Sequence, residues 1–521
     1  MSRRFEAALK GCATSGALVC TLALGAPAAQ AQPAFELEEA TVASIHAAFA
    51  SGRLTCAQLV RGYLDRIDRF DHKGPALNAI ITVNPKAVEI AAEMDRVPPA
   101  ARKPLHCIPV VVKDNYNTAD MPTTGGSKTL ATSRPSTDAF VVARLRQAGA
   151  LVLAKSNLTE LARGGTTVSS LGGQTRNPYD LTRTPGGSSG GTGAAIAANF
   201  AVFGTGSDTG QSIRSPASAQ SLVGLRPTRG LVSRDGIIPY STTQDEAGPI
   251  ARTVADAARM LDAIAGYDPA DPITAFGRDK IPASYAAALD RASLRGKRLG
   301  VLTEFFGSDA PHREVNAVMH RALEKFAAAG AIVERISIPD LAALTRDLDL
   351  GNYEFRAAFD RYLSSLGPAA PVKSLDEFMA RGEFHPSLGA GLEAARRAGT
   401  ADAEYKARLL RRLDLRQAVM TAMARGRLDA IVYPHQRRLV APIGEEQLER
   451  NGVLSNATGF PALTVPGGFS DASASAPIGV PVGLELLGPD WSEPALFTIA
   501  YGFEQAAALR RPPVMDAKRR P

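Results

Sequence analysis

Apolar residues along the first part of the chain follow two patterns, helical spacing and short continuous runs. A helix is predicted from Thr55, because Thr55 and Gln58 have the spacing of a capping box. Its apolar face is formed by Leu59, Tyr63, Leu64 and Ile67. This helix is expected to pack against the core and to take no part in chemistry.

A strand–helix–strand passage follows this helix. The run from Cys107 to Val112 has the length of a buried strand, and the charged Lys113 ends it. Asp138 is predicted to cap a helix, and the residues 151–154 form a second buried run. This order of elements is typical of α/β architecture with parallel strands.

The pattern changes after Gly266, which closes a helix that begins near Val254. Residues 268–282 are rich in Pro, Asp and Gly, and a second strand–helix–strand passage begins at Arg298. From 341 to 427 the spacing is helical without a recognisable motif, so we expect a cap or a layer that faces the substrate. A further apolar run ends at Pro434.

The first 31 residues have the features of an export signal. Basic residues precede an apolar run from Ala17 to Ala26, and Ala29-Gln30-Ala31 has the small-x-small pattern of a cleavage site. We therefore expect a periplasmic or secreted protein, exported by the Sec or the Tat route. Removal of 1–31 leaves Cys56 and Cys107, which form one disulfide or remain two buried thiols.

Composition narrows the class of protein further. The chain has 521 residues, of which 45% are hydrophobic and 21% charged, as in ordinary globular proteins. Its formal net charge of +7 falls to about +5 without the leader, which is weak ground for a nucleic-acid partner. After the leader no apolar stretch reaches the ~18 residues of a membrane helix, so no stable membrane insertion is expected. Residues 511–521 are predicted to be a basic tail.

Two glycine-serine segments flank the residues 192–198, whose small side chains suit a helix packed against a sheet. One segment carries Ser188 and the other Ser212. Serine needs a partner that accepts its proton, and N–H groups of a glycine turn can stabilise an oxyanion. Lys113 at a buried strand end would have a lowered pKa and could be that partner. Its position alone fits better with a side chain that reaches solvent or pairs with Asp114.

The segments together resemble the amidase signature family. The matching motifs are Gly-Gly-Ser-Ser-Gly-Gly at 186–191, Gly-Ser-Asp-Thr-Gly-Gln-Ser-Ile-Arg-Ser-Pro-Ala at 206–217 and Val-Lys-Asp-Asn at 112–115. Shorter family-like pieces lie at 123–127, 155–157, 173–178, 224–228, 459–462 and 465–467. The resemblance spans roughly 40–270 and 428–505. It implies an amidase domain over 32–510, with a large, mixed and mostly parallel sheet surrounded by helices and a variable helical region at 270–427.

The resemblance also implies a Ser-Ser-Lys triad. Ser212 would be the nucleophile, Ser188 the bridging serine in a cis peptide bond, and Lys113 the base. The backbone N–H groups of Thr209, Gly210, Gln211 and Ser212 would form the oxyanion hole, and Ser189 would support the hydrogen bonds around it. Asp208 and Arg214 match positions that brace this turn. The expected activity is hydrolysis of a carboxamide, with side activity on esters, and no cofactor is implied.

This chain departs from the commonest family pattern at Gln211, where many members have glycine. A side chain there restricts the backbone, and we expect it to reach toward the substrate. The substrate would be a small-molecule or peptide amide, and a homodimer is compatible with the resemblance. The seven histidines show no HExxH and no paired spacing with cysteine, so no metal site is implied.

Two other functions remain open at the level of sequence. The residues 186–190 also fit a G-x-S-x-G elbow, with Ser188 as nucleophile of an α/β-hydrolase-type esterase. Its histidine would be His320, His385 or His435, but the turn-like residues 180–185 stand where that elbow requires a strand. A catalytically inactive binding protein of the same fold is the third possibility.

Overall fold

Strands and helices are interspersed along the part of the chain that the computed structural model describes, residues 35–515. The helices are α1 (Val42–Ala50), α2 (Cys56–Phe70), α3 (Ala87–Asp95), α4 (Phe140–Gln147), α5 (Gly190–Ala197), α6 (Arg214–Ala219), α7 (Val254–Ile264), α8 (Arg313–Ala328), α9 (Leu341–Leu344), α10 (Gly351–Ser365), α11 (Leu375–Arg381), α12 (Gly389–Arg397), α13 (Ala403–Gly426), α14 (Val453–Thr458) and α15 (Glu493–Ala507). The strands are β1 (Ile80–Val83), β2 (Pro109–Lys113), β3 (Leu151–Ser156), β4 (Val168–Ser169), β5 (Gly173–Gln174), β6 (Phe203–Asp208), β7 (Val223–Arg226), β8 (Glu246–Ala251), β9 (Arg298–Leu302), β10 (Ile332–Ile336), β11 (Ala430–Pro434), β12 (Ala462–Phe469) and β13 (Pro481–Leu487). The export signal predicted at 1–31 and the last six residues of the predicted tail lie outside the described residues.

Eleven of these strands form one sheet in the order β1-β3-β2-β6-β8-β7-β12-β13-β11-β9-β10. Strand β2 is parallel to β3 and β6, and β9 is parallel to β10 and β11. The other neighbours in this sheet are antiparallel. The prediction of a large mixed sheet surrounded by helices is therefore confirmed, with its parallel pairs confined to the β3-β2-β6 and β11-β9-β10 parts of the sheet and six of its ten neighbouring pairs antiparallel.

Helix boundaries follow the local capping chemistry. Helix α2 begins where the sequence predicts, with Thr55 and Gln58 forming the reciprocal capping box. The prediction that Asp138 caps α4 is wrong, because Ala139 is the capping residue. The Asp138 carboxylate instead accepts from the Ala119 N–H at 2.8 Å and pairs with Arg146 at 3.0 Å. These partners come from outside the first turn and draw the carboxylate away from the helix end.

The helix between the two glycine-serine segments lies against the sheet, as predicted. Helix α5 contacts β2 and β6. A Cβ at Gly191 would lie 2.2 Å from the Asn157 carbonyl oxygen, and one at Gly204 would lie 2.5 Å from a Thr192 methyl. Only glycine permits this approach. The close packing places the first turn of α5, which follows Ser188 and Ser189, at the carboxyl ends of β2 and β6.

The middle of the chain is helical, as expected, from α9 to α13. Helix α10 packs on α12 and brings Phe355 and Phe359 into a buried apolar cluster. Elsewhere, helices α8 and α15 pack on strand β12. Phe326 of α8 stacks on Phe503 of α15, with ring centres 3.9 Å apart. Among residues 35–515, none of the helices combines the length and the apolar character that a bilayer span requires.

Cys56 and Cys107 are joined by a disulfide, with their Cα atoms 5.8 Å apart. The bond connects the first residue of α2 to the loop that leads into β2. Of the two alternatives that the sequence leaves open, the structure therefore has the disulfide.

Candidate active site

Lys113 ends β2 and is completely buried. Its Nζ lies 2.8 Å from Ser188 Oγ and 2.8 Å from Ser207 Oγ, and it donates to the Ser207 carbonyl oxygen at 3.3 Å. Burial lowers the pKa of Lys113 from its ordinary 10.5 to about 7, against the smaller opposite effect of the charges on Asp208 and Asp245. A substantial fraction of the amine is therefore uncharged near neutral pH and can accept a proton.

The interpretation of Lys113 that position alone favours is wrong. The side chain has no exposed surface, so it does not reach solvent. Asp114 pairs with Lys155 instead, at 3.0 Å, and its other oxygen accepts from the Thr124 hydroxyl. Asp114 already has this buried partner, and Lys113 is left facing the two serines.

Ser188 lies in the turn that precedes α5 and is fully buried. The peptide bond between Gly187 and Ser188 is cis. The turn is held by the Thr167 hydroxyl, which donates to the Gly186 carbonyl at 2.7 Å, and by the Ser188 carbonyl, which accepts from the Thr159 N–H at 3.0 Å. Ser188 therefore has a fixed backbone and a side chain that faces Lys113.

Ser212 lies in the second turn, between β6 and α6, and 7% of its surface is exposed. The Asp208 carboxylate organises this turn by accepting from the Ile213 N–H at 3.0 Å and from Arg214 at 3.1 Å. Burial alone would raise the pKa of Asp208, but Arg214 and Arg226 outweigh it and lower that pKa. Arg214 also donates to the Gly210 carbonyl at 2.6 Å. Asp208 and Arg214 thus brace the turn, as the resemblance implies.

The four backbone N–H groups from Thr209 to Ser212 have no acceptor among residues 35–515. Thr209 is positioned through its hydroxyl, which donates to Asp245 at 2.5 Å. Asp245 in turn accepts from the N–H groups of Tyr240 and Ser241 at 2.7 and 2.9 Å. Consecutive free donors at the wall of a site can bind the negative oxygen of a tetrahedral intermediate.

The two turns meet through their backbones. The Ser189 N–H donates to the Ser212 carbonyl at 3.2 Å, and the Ser189 hydroxyl donates to the Ser207 carbonyl at 3.4 Å. In residues 35–515 no hydrogen bond joins the side chains of Ser188 and Ser212. The structure therefore brings Lys113 into contact with Ser188 and places Ser212 in the adjoining turn.

Ser207 and Asn115 are site residues whose roles sequence reasoning missed. Ser207 Oγ accepts from Lys113 at 2.8 Å and from the Asn115 amide at 3.0 Å. Both residues belong to motifs that carry the family resemblance, and that membership was the only signal for them. A neutral amine has two N–H groups and one lone pair. When both N–H groups of the neutral amine donate to Ser207, its lone pair is left to accept from the Ser188 hydroxyl.

Gln211 is half-buried, and its side chain turns toward His435 and Arg450. In the amide orientation that satisfies both neighbours, its oxygen accepts from Arg450 Nε at 2.7 Å and Nη1 at 3.0 Å, and its nitrogen donates to His435 Nε2 at 3.3 Å. Gln211 is therefore held by protein groups on both sides of its amide.

A cavity of 490 Å³ adjoins the site and is large enough for a small ligand. Ser207 and Thr209 border it on the side of the catalytic turn. The opposite wall includes Tyr362 and Ala358 of α10, so the helical middle region faces the site. The lining residues with charged side chains are Arg234, Asp235, Asp245, Glu246, Asp271 and Arg361.

The geometry contradicts the nucleophile elbow. The preceding strand, β5, ends at Gln174, well before Ser188. The polar partner of Ser188 Oγ is Lys113, whereas His320 stacks on Phe306, His385 contacts Ser387 and His435 contacts Glu485. Within the described part of the chain, no group of His, Cys, Asp and Glu side chains could hold a metal ion.

The chain is similar to known proteins of one family. The model of the family described as Amidase matches residues 58–497. One component of the glutamyl-tRNA(Gln) amidotransferase of an Exiguobacterium strain is 36% identical, over 89% of this chain and 97% of that protein. The crystal structure of the peptide amidase from Stenotrophomonas maltophilia superposes with a TM-score of 0.82 at 40% identity, over 92% of this chain and 99% of that one. An amidase family protein from Bacillus anthracis gives a TM-score of 0.82 at 33% identity, over 92% and 93%.

Proposed function

The chain belongs to the Amidase family and has its fold, and on that premise we propose that it hydrolyses a carboxamide through an acyl-enzyme on Ser212. Lys113 is the base in this proposal, and cis-Ser188 relays the proton. The observation that carries it is the 2.8 Å contact between the buried Lys113 Nζ and Ser188 Oγ, in the turn that adjoins the turn of Ser212. A buried amine without a carboxylate partner is costly unless it is neutral, and a neutral amine is a base.

The proton transfers follow from the order of these groups. Neutral Lys113 accepts the proton of Ser188 while Ser188 accepts that of Ser212, and Ser212 Oγ attacks the carbonyl carbon of the amide. The reversed relay protonates the nitrogen of the leaving amine as the C–N bond breaks. Water then attacks the acyl-enzyme, with the same relay removing its proton, and the carboxylic acid is released.

The turn that holds Ser212 stabilises the intermediate. Its N–H groups from Thr209 to Ser212 would bind the carbonyl oxygen as it gains negative charge. Asp208 and Asp245 fix this backbone from inside the protein. Esters of the same acyl groups are expected as side substrates, because they pass through the same intermediate.

Two observations support a peptide or other small-molecule amide as substrate. The cavity of 490 Å³ beside the catalytic turn offers apolar and aromatic surface, including Ile238, Tyr240 and Tyr362, in addition to its charged side chains. The solved structure with 40% identity is a peptide amidase. A C-terminally amidated peptide with an apolar side chain is therefore the first substrate to try.

Export is part of the proposal. The signal-like residues 1–31 motivate it, and the Cys56–Cys107 disulfide supports it, because disulfides persist in oxidising compartments. The mass of the protein recovered from the periplasm or medium tests this: the mature chain should lack residues 1–31 and the hydrogens of both thiols. A full-length, reduced chain recovered only from the cytoplasm would contradict export.

A panel of amidated peptides, aryl amides and esters, incubated with purified protein, tests the activity. Hydrolysis is expected in the wild type and not in Ser212→Ala, while Ser218→Ala, which removes the hydroxyl of a buried serine in α6, serves as the matched control. A fluorophosphonate should label the wild type at Ser212. Labelling without turnover would leave the substrate class open, and a protein that is neither labelled nor active would favour a binding function.

A further inference from the structure

The Gln211 amide has one orientation that suits both of its neighbours. The Arg450 guanidinium only donates hydrogen bonds, so the amide oxygen faces it, at 2.7 and 3.0 Å. The amide nitrogen then faces His435 Nε2 at 3.3 Å. An N–H group can donate there only if Nε2 carries no proton.

The second ring nitrogen of His435 decides which tautomer is present. Its Nδ1 lies 2.7 Å from Glu485 Oε2, and both side chains are completely buried. A carboxylate accepts, so Nδ1 carries the hydrogen and Nε2 presents its lone pair to Gln211. The hydrogen bonds thus run in one direction, from Arg450 to Gln211, from Gln211 to His435 and from His435 to Glu485.

Glu485 also anchors the same turn by a second route. Its Oε1 accepts from Arg214 at 2.7 Å, and Arg214 donates to the Gly210 carbonyl at 2.6 Å. The backbone of Gly210 and the side chain of Gln211 are therefore both tied to Glu485. These two residues contribute N–H groups of the proposed oxyanion hole.

We propose that His435 is a positioning residue, which fixes the residues 209–212 through Gln211 and releases them when it is protonated. The proposal rests on the proposed hydrolase function of this turn. It also gives a role to a residue that stands where many family members have glycine. A glycine has no side chain for His435 to hold, so this control is specific to a chain with glutamine there.

The surroundings of His435 keep it neutral at neutral pH. Glu485 on β13, Arg214 on α6 and Asp208 on β6 carry the charges that act on it. Tyr433 on β11 donates to the same Glu485 carboxylate, and Arg450 lies on the other side of the Gln211 amide. Burial, with a smaller contribution from Arg214, lowers the pKa of His435 below its ordinary value despite the opposite effect of Glu485. Burial would raise the pKa of Glu485, but Arg214 and His435 outweigh it and lower that pKa, so the carboxylate stays ionised.

Protonation of His435 leaves no satisfactory arrangement of the Gln211 amide. Nε2–H would then face the amide N–H groups, and two donors would meet. A rotated amide would satisfy His435 but would turn its nitrogen toward Arg450, which also only donates. The side chain must then leave its position, and the N–H groups of the turn lose their alignment.

The pH dependence of Ser212 labelling by a fluorophosphonate tests this, because the rate reports the nucleophile and oxyanion hole without a known substrate. In the wild type, the labelling rate should be inversely proportional to the proton concentration once Lys113 is protonated. At more acidic pH, where His435 is protonated as well, it should be inversely proportional to the square of the proton concentration, and this range is the second-power region. In Gln211→Gly the second-power region should disappear, because His435 no longer acts on the turn.

Variants at position 435 separate positioning from packing. In His435→Gln the side-chain oxygen can replace Nε2 as an acceptor that does not titrate, so this variant should keep more of the rate than His435→Met and should lack the second-power region. The double variant Gln211→Gly/His435→Met should react at the rate of Gln211→Gly alone. If His435→Met does not fold, as judged by circular dichroism, the wild type and Gln211→Gly still give the decisive comparison.

The outcomes distinguish this inference from the proposed function. No labelling of the wild type, or equal labelling of Ser212→Ala, would overturn the hydrolase function and this inference with it. Labelling at Ser212 without a second-power region, or with one that persists in Gln211→Gly, would overturn the positioning role alone. A further loss of rate in the double variant would also overturn it, because His435 would then act by another route.

Discussion

Replacing Lys113 by methionine separates the catalytic use of the buried amine from its effect on stability. The unfolded chain holds a proton on this lysine up to its ordinary pKa of 10.5, whereas the folded chain releases it at about 7. The unfolded state therefore binds more protons between these values, and wild-type stability rises with pH across that window. Below it the buried amine is charged, and each pKa unit costs about 1.36 kcal/mol, in total about 5 kcal/mol.

Methionine has a similar length but no charge to bury, so Lys113→Met avoids this cost. The lost hydrogen bonds to Ser188 and Ser207 offset about 1–3 kcal/mol of the gain. The variant is thus expected to be more stable than the wild type by about 2–4 kcal/mol below the folded pKa. This advantage should shrink toward the unfolded pKa, where the wild-type lysine is neutral in the folded protein. Hydrolysis should fall by about 10²–10⁴-fold, because the base is gone.

Reversible urea unfolding of both proteins, at a pH below the folded pKa and at one near the unfolded pKa, measures the effect. Lys155→Met is the matched control, since Lys155 is also a buried lysine but pairs with Asp114 at 3.0 Å. It should destabilise the fold by leaving that carboxylate without its partner. A stability difference between Lys113→Met and the wild type that does not change with pH would refute the lowered pKa. Full activity in Lys113→Met would refute the role as base.

Three further perturbations test other parts of the site and fold. Ser207→Ala should lower kcat about tenfold, because the Lys113 amine loses a hydrogen-bond acceptor. Ser207→Thr keeps the hydroxyl and should recover activity. Equal losses in both variants would contradict a role for the hydroxyl. Cys56→Ser should lower the free energy of unfolding by up to about 4 kcal/mol, because the disulfide to Cys107 closes a loop with a sequence separation of 51 residues. An unchanged urea midpoint would show that the disulfide is not formed. Tyr362→Ala, in the wall of the cavity, should change KM across a panel of amides more than kcat, whereas the same loss of kcat on every substrate would place Tyr362 in a structural role.

Local chemistry accounts for the elements that the sequence predicted correctly. The capping box at Thr55 and the apolar runs of β2 and β3 depend on neighbours within a few residues, so they can be identified from the chain alone. Asp138 shows where this fails. Its local spacing fits a helix cap, but Ala119 and Arg146 compete for the carboxylate, and neither contact belongs to the first turn of α4.

The candidate site also combines features that the sequence indicates with contacts that only the fold creates. The sequence by itself determined which residue types could do the chemistry, because the two glycine-serine segments and the lysine at a strand end are local patterns. Only the tertiary structure decided that Lys113 faces Ser188 from 75 residues away, that Ser207 accepts from its amine, and that Gln211 is held by His435. These contacts follow from the order of strands in the sheet and from the approach of α5 to it. That arrangement is fixed by packing between distant segments, which the spacing of residues along the chain does not record.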